Sequence, residues 1–116
     1  MLVVALGLFH ASRTIAQTPA ELATAQSQYE EHGEQIRALR DARDWRGLIE
    51  LYQRALSTLT PRGRDAARFN IALCYLELGE CHVATRRLRS LTRSPYPSIA
   101  SAARRELALP CPPPSE

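Results

Sequence analysis

Few side chains in these 116 residues are suited to chemistry: cysteines at 74, 81 and 111, and histidines at 10, 32 and 82. Thiolates and imidazoles bind zinc, and Cys81 and His82 are adjacent, with Cys74 a short way upstream. Zinc sites space paired ligands about two to five residues apart, and sequence neighbours rarely converge on one ion, so no metal is expected. There is no Gly-rich phosphate loop, no HExxH and no nucleophile elbow. His32 falls on an apolar stripe, where a packed ring is the simpler reading. No catalytic residue, no cofactor and no enzyme activity is therefore expected.

All fifteen basic residues are arginine, against twelve carboxylates. The guanidinium fork matches phosphate. The carboxylates are interspersed, however, and no basic run is interleaved with aromatics, so nucleic acid is not expected. Arg86, Arg87, Arg89 and Arg93 are the densest cluster; they read either as a site for an anionic surface partner or as a solvated face.

The elements that would position these groups are helical. Residues 2 to 9, LVVALGLF, are too short to span a bilayer, which takes ~20 residues. They fit the apolar core of a signal peptide over 1–16, cleaved near Ala16. Arg13 and the lack of a preceding positive charge fit that reading badly, and a frayed N-terminal helix of a cytoplasmic protein is the alternative. Thr18-Pro19-Ala20-Glu21 reads as a capping box. Leu22, Ala25, Tyr29, His32, Ile36 and Leu39 then repeat at helical spacing to about Ala42. Asp44 caps a second helix with Leu48, Leu51, Tyr52, Ala55, Leu56 and Leu59 on one face. Pro61 and Gly63 read as breakers. A third helix is expected from about Arg64 to Leu78, ended by Gly79. A fourth is expected from about Glu80 to Thr92, burying Val83, Ala84, Leu88 and Leu91. A fifth, from about Ser98 to Leu109, offers Ile99, Ala102, Ala103 and Leu107. The tail, 110–116, is Pro-rich. No strand pattern occurs, and short connections imply antiparallel helical neighbours. The third helix poses one question. Ile71, Ala72, Leu73, Cys74, Tyr75, Leu76 and Leu78 make it apolar almost all round, and a surface helix should show one stripe.

Offset by 36, the chain matches itself: Leu39 falls on Tyr75, Asp44 on Glu80, Leu48 on Ala84, Tyr52 on Leu88 and Ala55 on Leu91. In the second copy Arg68, Ile71, Ala72, Tyr75, Gly79, Ala84, Leu88 and Pro95 carry the spacing of a known motif. That part of the chain, residues 29 to about 97, resembles the tetratricopeptide repeat. The first copy is degenerate, with His32, Gln35 and Ile36 in place of the leading aromatic, Leu and Gly. Arg68 replaces the aromatic in the second. The two residues beyond the usual period fit a loop at TPRGRD, residues 60–65. The resemblance implies an all-α, short α-solenoid of antiparallel helix hairpins over 18–109: about two repeats plus a C-terminal capping helix.

It also implies a non-catalytic module that binds a protein or peptide, a small exported adaptor in the periplasm or outside the cell. The alternative function is a structural subunit packed into a homo-oligomer or a larger envelope complex. First helices of such hairpins line a groove, which would take Glu34, Arg37, Arg40 and Asp41 from the first helix and Phe69, Asn70, Leu73, Leu76 and Glu77 from the third. An amphipathic helix or an extended peptide with an acidic end would suit it; closure of that face by the first and fifth helices is the competing expectation. Phe69 is expected to be partly open and Leu73 buried. No stable membrane span is expected once the leader is cleaved. Finally, the resemblance places Cys81 against the fifth helix, near Cys111, and so implies a Cys81–Cys111 disulfide. Three free thiols in a reducing cytoplasm is the alternative.

Overall fold

The computed structural model describes residues 32–111 and 113. The leader, the Thr18 cap, the helix expected before residue 32 and most of the Pro-rich tail lie outside the described residues. The chain divides into two units, Met1–Gln35 and Ile36–Glu116. Of the first, residues 32–35 are described: all are helical, with His32 and Gly33 half-buried and Glu34 and Gln35 exposed.

The second unit is all-helical and compact, with no strand among the described residues. Its elements are residues 36–41 of α1 (described over 32–41), α2 (Trp45–Ala55), a short 3-10 turn (Leu56–Thr58), α3 (Pro61–Glu77), α4 (Cys81–Leu91) and α5 (Pro97–Leu107). Asp44 caps α2 by accepting the Gly47 N–H at 2.9 Å. A Cβ at position 47 would lie 2.5 Å from Asp44 Oδ2, so a side chain there would make the capping carboxylate shift. Gly79, at φ 77°, ends α3 in the left-handed region.

α3 begins earlier than the sequence suggests. Pro61 is its first residue, and the Thr60 hydroxyl accepts the Gly63 N–H at 3.1 Å. The supposed breakers are a cap and a first turn: proline at the first helical position loses no intrahelical hydrogen bond. TPRGRD is therefore a cap and a helix start, and not a loop. Asp65 pairs with Arg68 and accepts the Ser94 hydroxyl at 2.7 Å, tying the first turns of α3 to the α4–α5 connection.

α3 packs on α2, α4 and α5, and α4 packs on α5. Two clusters form the core. Leu48, Ile49, Ile71 and Cys74 make one, with Ile36, Leu39, Trp45, Tyr52, Tyr75 and Leu78 against it. Ala72, Leu88, Leu91, Ile99 and Ala103 make the other, with Phe69 and Leu76 among the residues packed on it. α3 thus lacks a single stripe because it has two covered sides: Ile71 and Cys74 face one cluster while Ala72 enters the other. Full burial of an Ile71 or a Leu88 contributes about 1.5–3 kcal/mol. Ala72, Ala84 and Ala103 have no exposed surface, and their small side chains allow the three helices to approach closely.

Candidate binding face

On the first core's margin the apolar packing gives way to polar groups. Tyr52 lies half-buried on α2, its ring against that core. A buried phenol needs a partner for its hydroxyl. Arg40 of α1 and Asn70 of α3 lie beside it, each placed to favour the ionised phenol. Burial raises the Tyr52 phenol above its usual 10.0, while the nearby Arg40 and Asn70 side chains pull the other way.

Cys74 sits one turn beyond Asn70 on α3 and is the free, buried cysteine. Burial pushes its thiol up to about 11, with Arg40 opposing and Glu77 reinforcing the shift. Such a thiol stays protonated at neutral pH and is a poor nucleophile. The face therefore joins one guanidinium, a phenol, an amide and a carboxylate, from Arg40, Tyr52, Asn70 and Glu77, at the edge of the core that holds the neutral Cys74 thiol. It can offer hydrogen bonds and opposite charges to a ligand; it holds no activated nucleophile.

The nine residues singled out from sequence separate into groups. Glu34, Arg37, Arg40 and Asp41 are exposed on α1, as is Glu77 on α3. Phe69 and Leu76 are half-buried against the second core, on the side of α3 that meets α4 and α5. Asn70 is half-buried at Tyr52, and Leu73 is half-buried and, among the described residues, grouped with neither core cluster. Tyr52 is the member the sequence reading did not place on this face; Cys74 belongs to the core behind α3's apolar side. Tyr52 was absorbed into an apolar stripe, where its hydroxyl was the available signal.

Cys81 and Cys111 form a disulfide, with Cα atoms 6.1 Å apart. That leaves Cys74, Cys81 and His82 with three different fates: buried, bonded and exposed. Among the described residues no three His, Cys, Asp or Glu side chains gather as a metal set, and no helix is long and apolar enough to cross a membrane. Comparison with protein-family models, with curated proteins and with solved structures returned no match.

Proposed function

We propose that this chain is a non-catalytic protein- or peptide-binding module, a short solenoid of tetratricopeptide-like hairpins that works as an exported adaptor. One observation carries the reading. Leu73 is a large apolar side chain on the central helix, half-buried and grouped with neither core cluster among the described residues, with Asn70 and Glu77 one turn to either side of it and Arg40 of α1 close to Tyr52 and Cys74. An apolar centre rimmed by paired charge is the composition of a peptide groove. The ligand it suits is an amphipathic helix or an extended segment with an acidic end directed at Arg40. The disulfide fits an oxidising compartment.

The test compares two truncations. Phe69→Ala should cost about 2–5 kcal/mol in urea denaturation, because Phe69 packs on the second core. Leu73→Ala should cost less than ~1 kcal/mol and should abolish capture of the partner that the parent chain retains from native envelope extract. Equal destabilisation by both substitutions would mean that Leu73 is core and the groove is closed. A stable homo-oligomer that protects residue 73 from labelling would replace the adaptor with a structural subunit. N-terminal sequencing of the native protein tests export separately, with a start near Gln17 expected.

A further inference from the structure

The arginines of the C-terminal helices lie on a surface remote in character from the face just described. Arg86, Arg89 and Arg93 are all exposed. At 100° per residue they fall within an arc of ~60°. Ala84, Leu88 and Leu91, the buried residues of α4, lie on the opposite side. Arg104 of α5 extends this row: its Nη1 comes within 3.5 Å of the Thr92 carbonyl at the end of α4. Arg105 is exposed beside it. Ion pairs among the described residues are Arg46–Glu80, Arg54–Glu50 and Arg68–Asp65, and none involves these five arginines. Arg87, by contrast, lies 5.1 Å from the centre of the Tyr75 ring and is occupied there.

Charge is segregated accordingly. The segment from Cys81 to Cys111 holds six arginines and one carboxylate, Glu106; the remainder of the chain holds nine arginines and eleven carboxylates. The partial negative charge at the α4 C-terminus eases the crowding of Arg89, Arg93 and Arg104. It neutralises none of Arg86 or Arg105. Leu109, four residues past Arg105, is 60% exposed, the one large apolar side chain left in solvent among the described residues.

We infer that this arginine row, with Leu109 at its margin, docks on the surface of a bilayer rich in anionic phospholipid. The choice of occupant follows from what the row lacks. It carries no aromatic to stack on a base and no Asn or Gln to read a base edge. It is a row on the outside of α4, with no apolar floor of the kind a peptide ligand would bury. Phosphate charge spread over a plane, with apolar material just beneath it for Leu109, matches it. The inference stands whether or not the α1–α3 face binds a peptide.

Sedimentation of the full chain with vesicles tests it. One set contains phosphatidylcholine with about 25% phosphatidylglycerol, and a second contains phosphatidylcholine alone. The parent should partition onto the anionic set and be released as salt rises toward ~1 M. At ~1 kcal/mol per arginine near the surface, the triple variant Arg86→Gln/Arg89→Gln/Arg93→Gln should bind on the order of a hundredfold more weakly. Arg37→Gln/Arg46→Gln/Arg54→Gln, with the same loss of net charge elsewhere, should weaken it far less. Circular dichroism should show both variants folded, since all six side chains are exposed. Equal losses in the two variants would reduce the effect to net charge and overturn the proposal. So would unchanged binding by the first variant, or partition onto neutral vesicles equal to that onto anionic ones, which would assign attachment to the apolar N-terminal run. Retention of a random DNA duplex at a salt that leaves vesicles unbound would overturn it in favour of nucleic acid.

Discussion

Two turns 36 residues apart solve the same problem with different side chains. After α1, the Asp44 N–H bonds to the Leu39 carbonyl at 2.8 Å and the Arg43 N–H to the Arg40 carbonyl at 3.0 Å. After α3, the Glu80 N–H bonds to the Tyr75 carbonyl and the Gly79 N–H to the Leu76 carbonyl, both at 2.9 Å. These are one closure used twice, with a left-handed residue at its centre. At the second turn that residue is Gly79, at φ 77°; at the first it is Arg43, at φ 56°. A side chain in that region costs about 1–2 kcal/mol, and glycine avoids it. The compensation is reversed one residue later. Asp44 caps α2 with its carboxylate, whereas Glu80 makes no cap to α4 and pairs with Arg46 of α2 instead. Next, Trp45 anchors the first turn in the core while Cys81 holds the second by its disulfide. The first turn thus has its cap within its own hairpin, and its Trp45 packs on a core that α3 shares. The second depends on residues distant in sequence, from α2 and from the tail.

Breaking the distant tie should have the largest effect. Cys111→Ser removes a bridge across a sequence separation of 30, worth about 3–4 kcal/mol by loop-closure entropy. Hydrogen exchange should quicken at Gly79 and Glu80 and stay unchanged at Arg43 and Asp44; equal quickening at both turns would show that the second has no special dependence on the bridge.

Alkali probes the second turn from its core side, since the Leu78 N–H bonds to the Cys74 carbonyl. The Cys74 thiol is raised from 9.0 to about 11, so the unfolded chain loses this proton first. Stability is full below pH 9, falls as pH rises and levels off past about 11, by about 2–3 kcal/mol at most. Tyr52, also raised, acts in the same direction. Denaturation across this range should be visibly flatter for Cys74→Ala than for the parent.

Gly79→Ala should cost about 1–2 kcal/mol, because alanine must adopt a positive φ. Asp44→Ala should cost about 1 kcal/mol through loss of the cap, while Glu80→Ala, which removes only an exposed pair, should cost a few tenths. If Glu80→Ala proves the worse of the two, the reversed compensation described above is mistaken. Arg43→Gly, the one stabilising change, should raise stability by ~0.5–1 kcal/mol in the same assay, making the first turn resemble the second.

Helical periodicity made the elements legible, because a 3.6-residue stripe is written locally. Asp44 and Gly79 were legible as a cap and a stop for the same reason. Thr60-Pro61 was read as a break even though Thr18-Pro19 was read as a start; the Gly that follows Pro61 decided it, wrongly, because the Thr60 hydroxyl bonds that very glycine's N–H. Ile49 was missed because it lies off the narrow α2 stripe and is buried by α3, information that no local window contains. Periodicity could show that α3 had two apolar sides but not which neighbour covered each. Phe69 and Leu76 turn toward α4 and α5 through tertiary packing alone. The polar margin at Tyr52 is not written locally for a related reason: Arg40 and Asn70 come to it from two helices far apart in sequence. The Cys81–Cys111 bond was reached through family resemblance, since three cysteines allow three pairings and their spacing selects none.

The same bond also decides how the chain would carry a mechanical load. Pulled by its two ends, the backbone transmits tension from residue 111 directly to residue 81 through sulfur, and α4 and α5 lie off that path. The 30-residue separation withholds a contour of roughly 100 Å from extension until the bond is reduced. Tension then bears on the turn at Gly79 and on α1 to α3, and a tether fixed at the C-terminus would pull on the middle of the molecule instead of peeling it from its last helix.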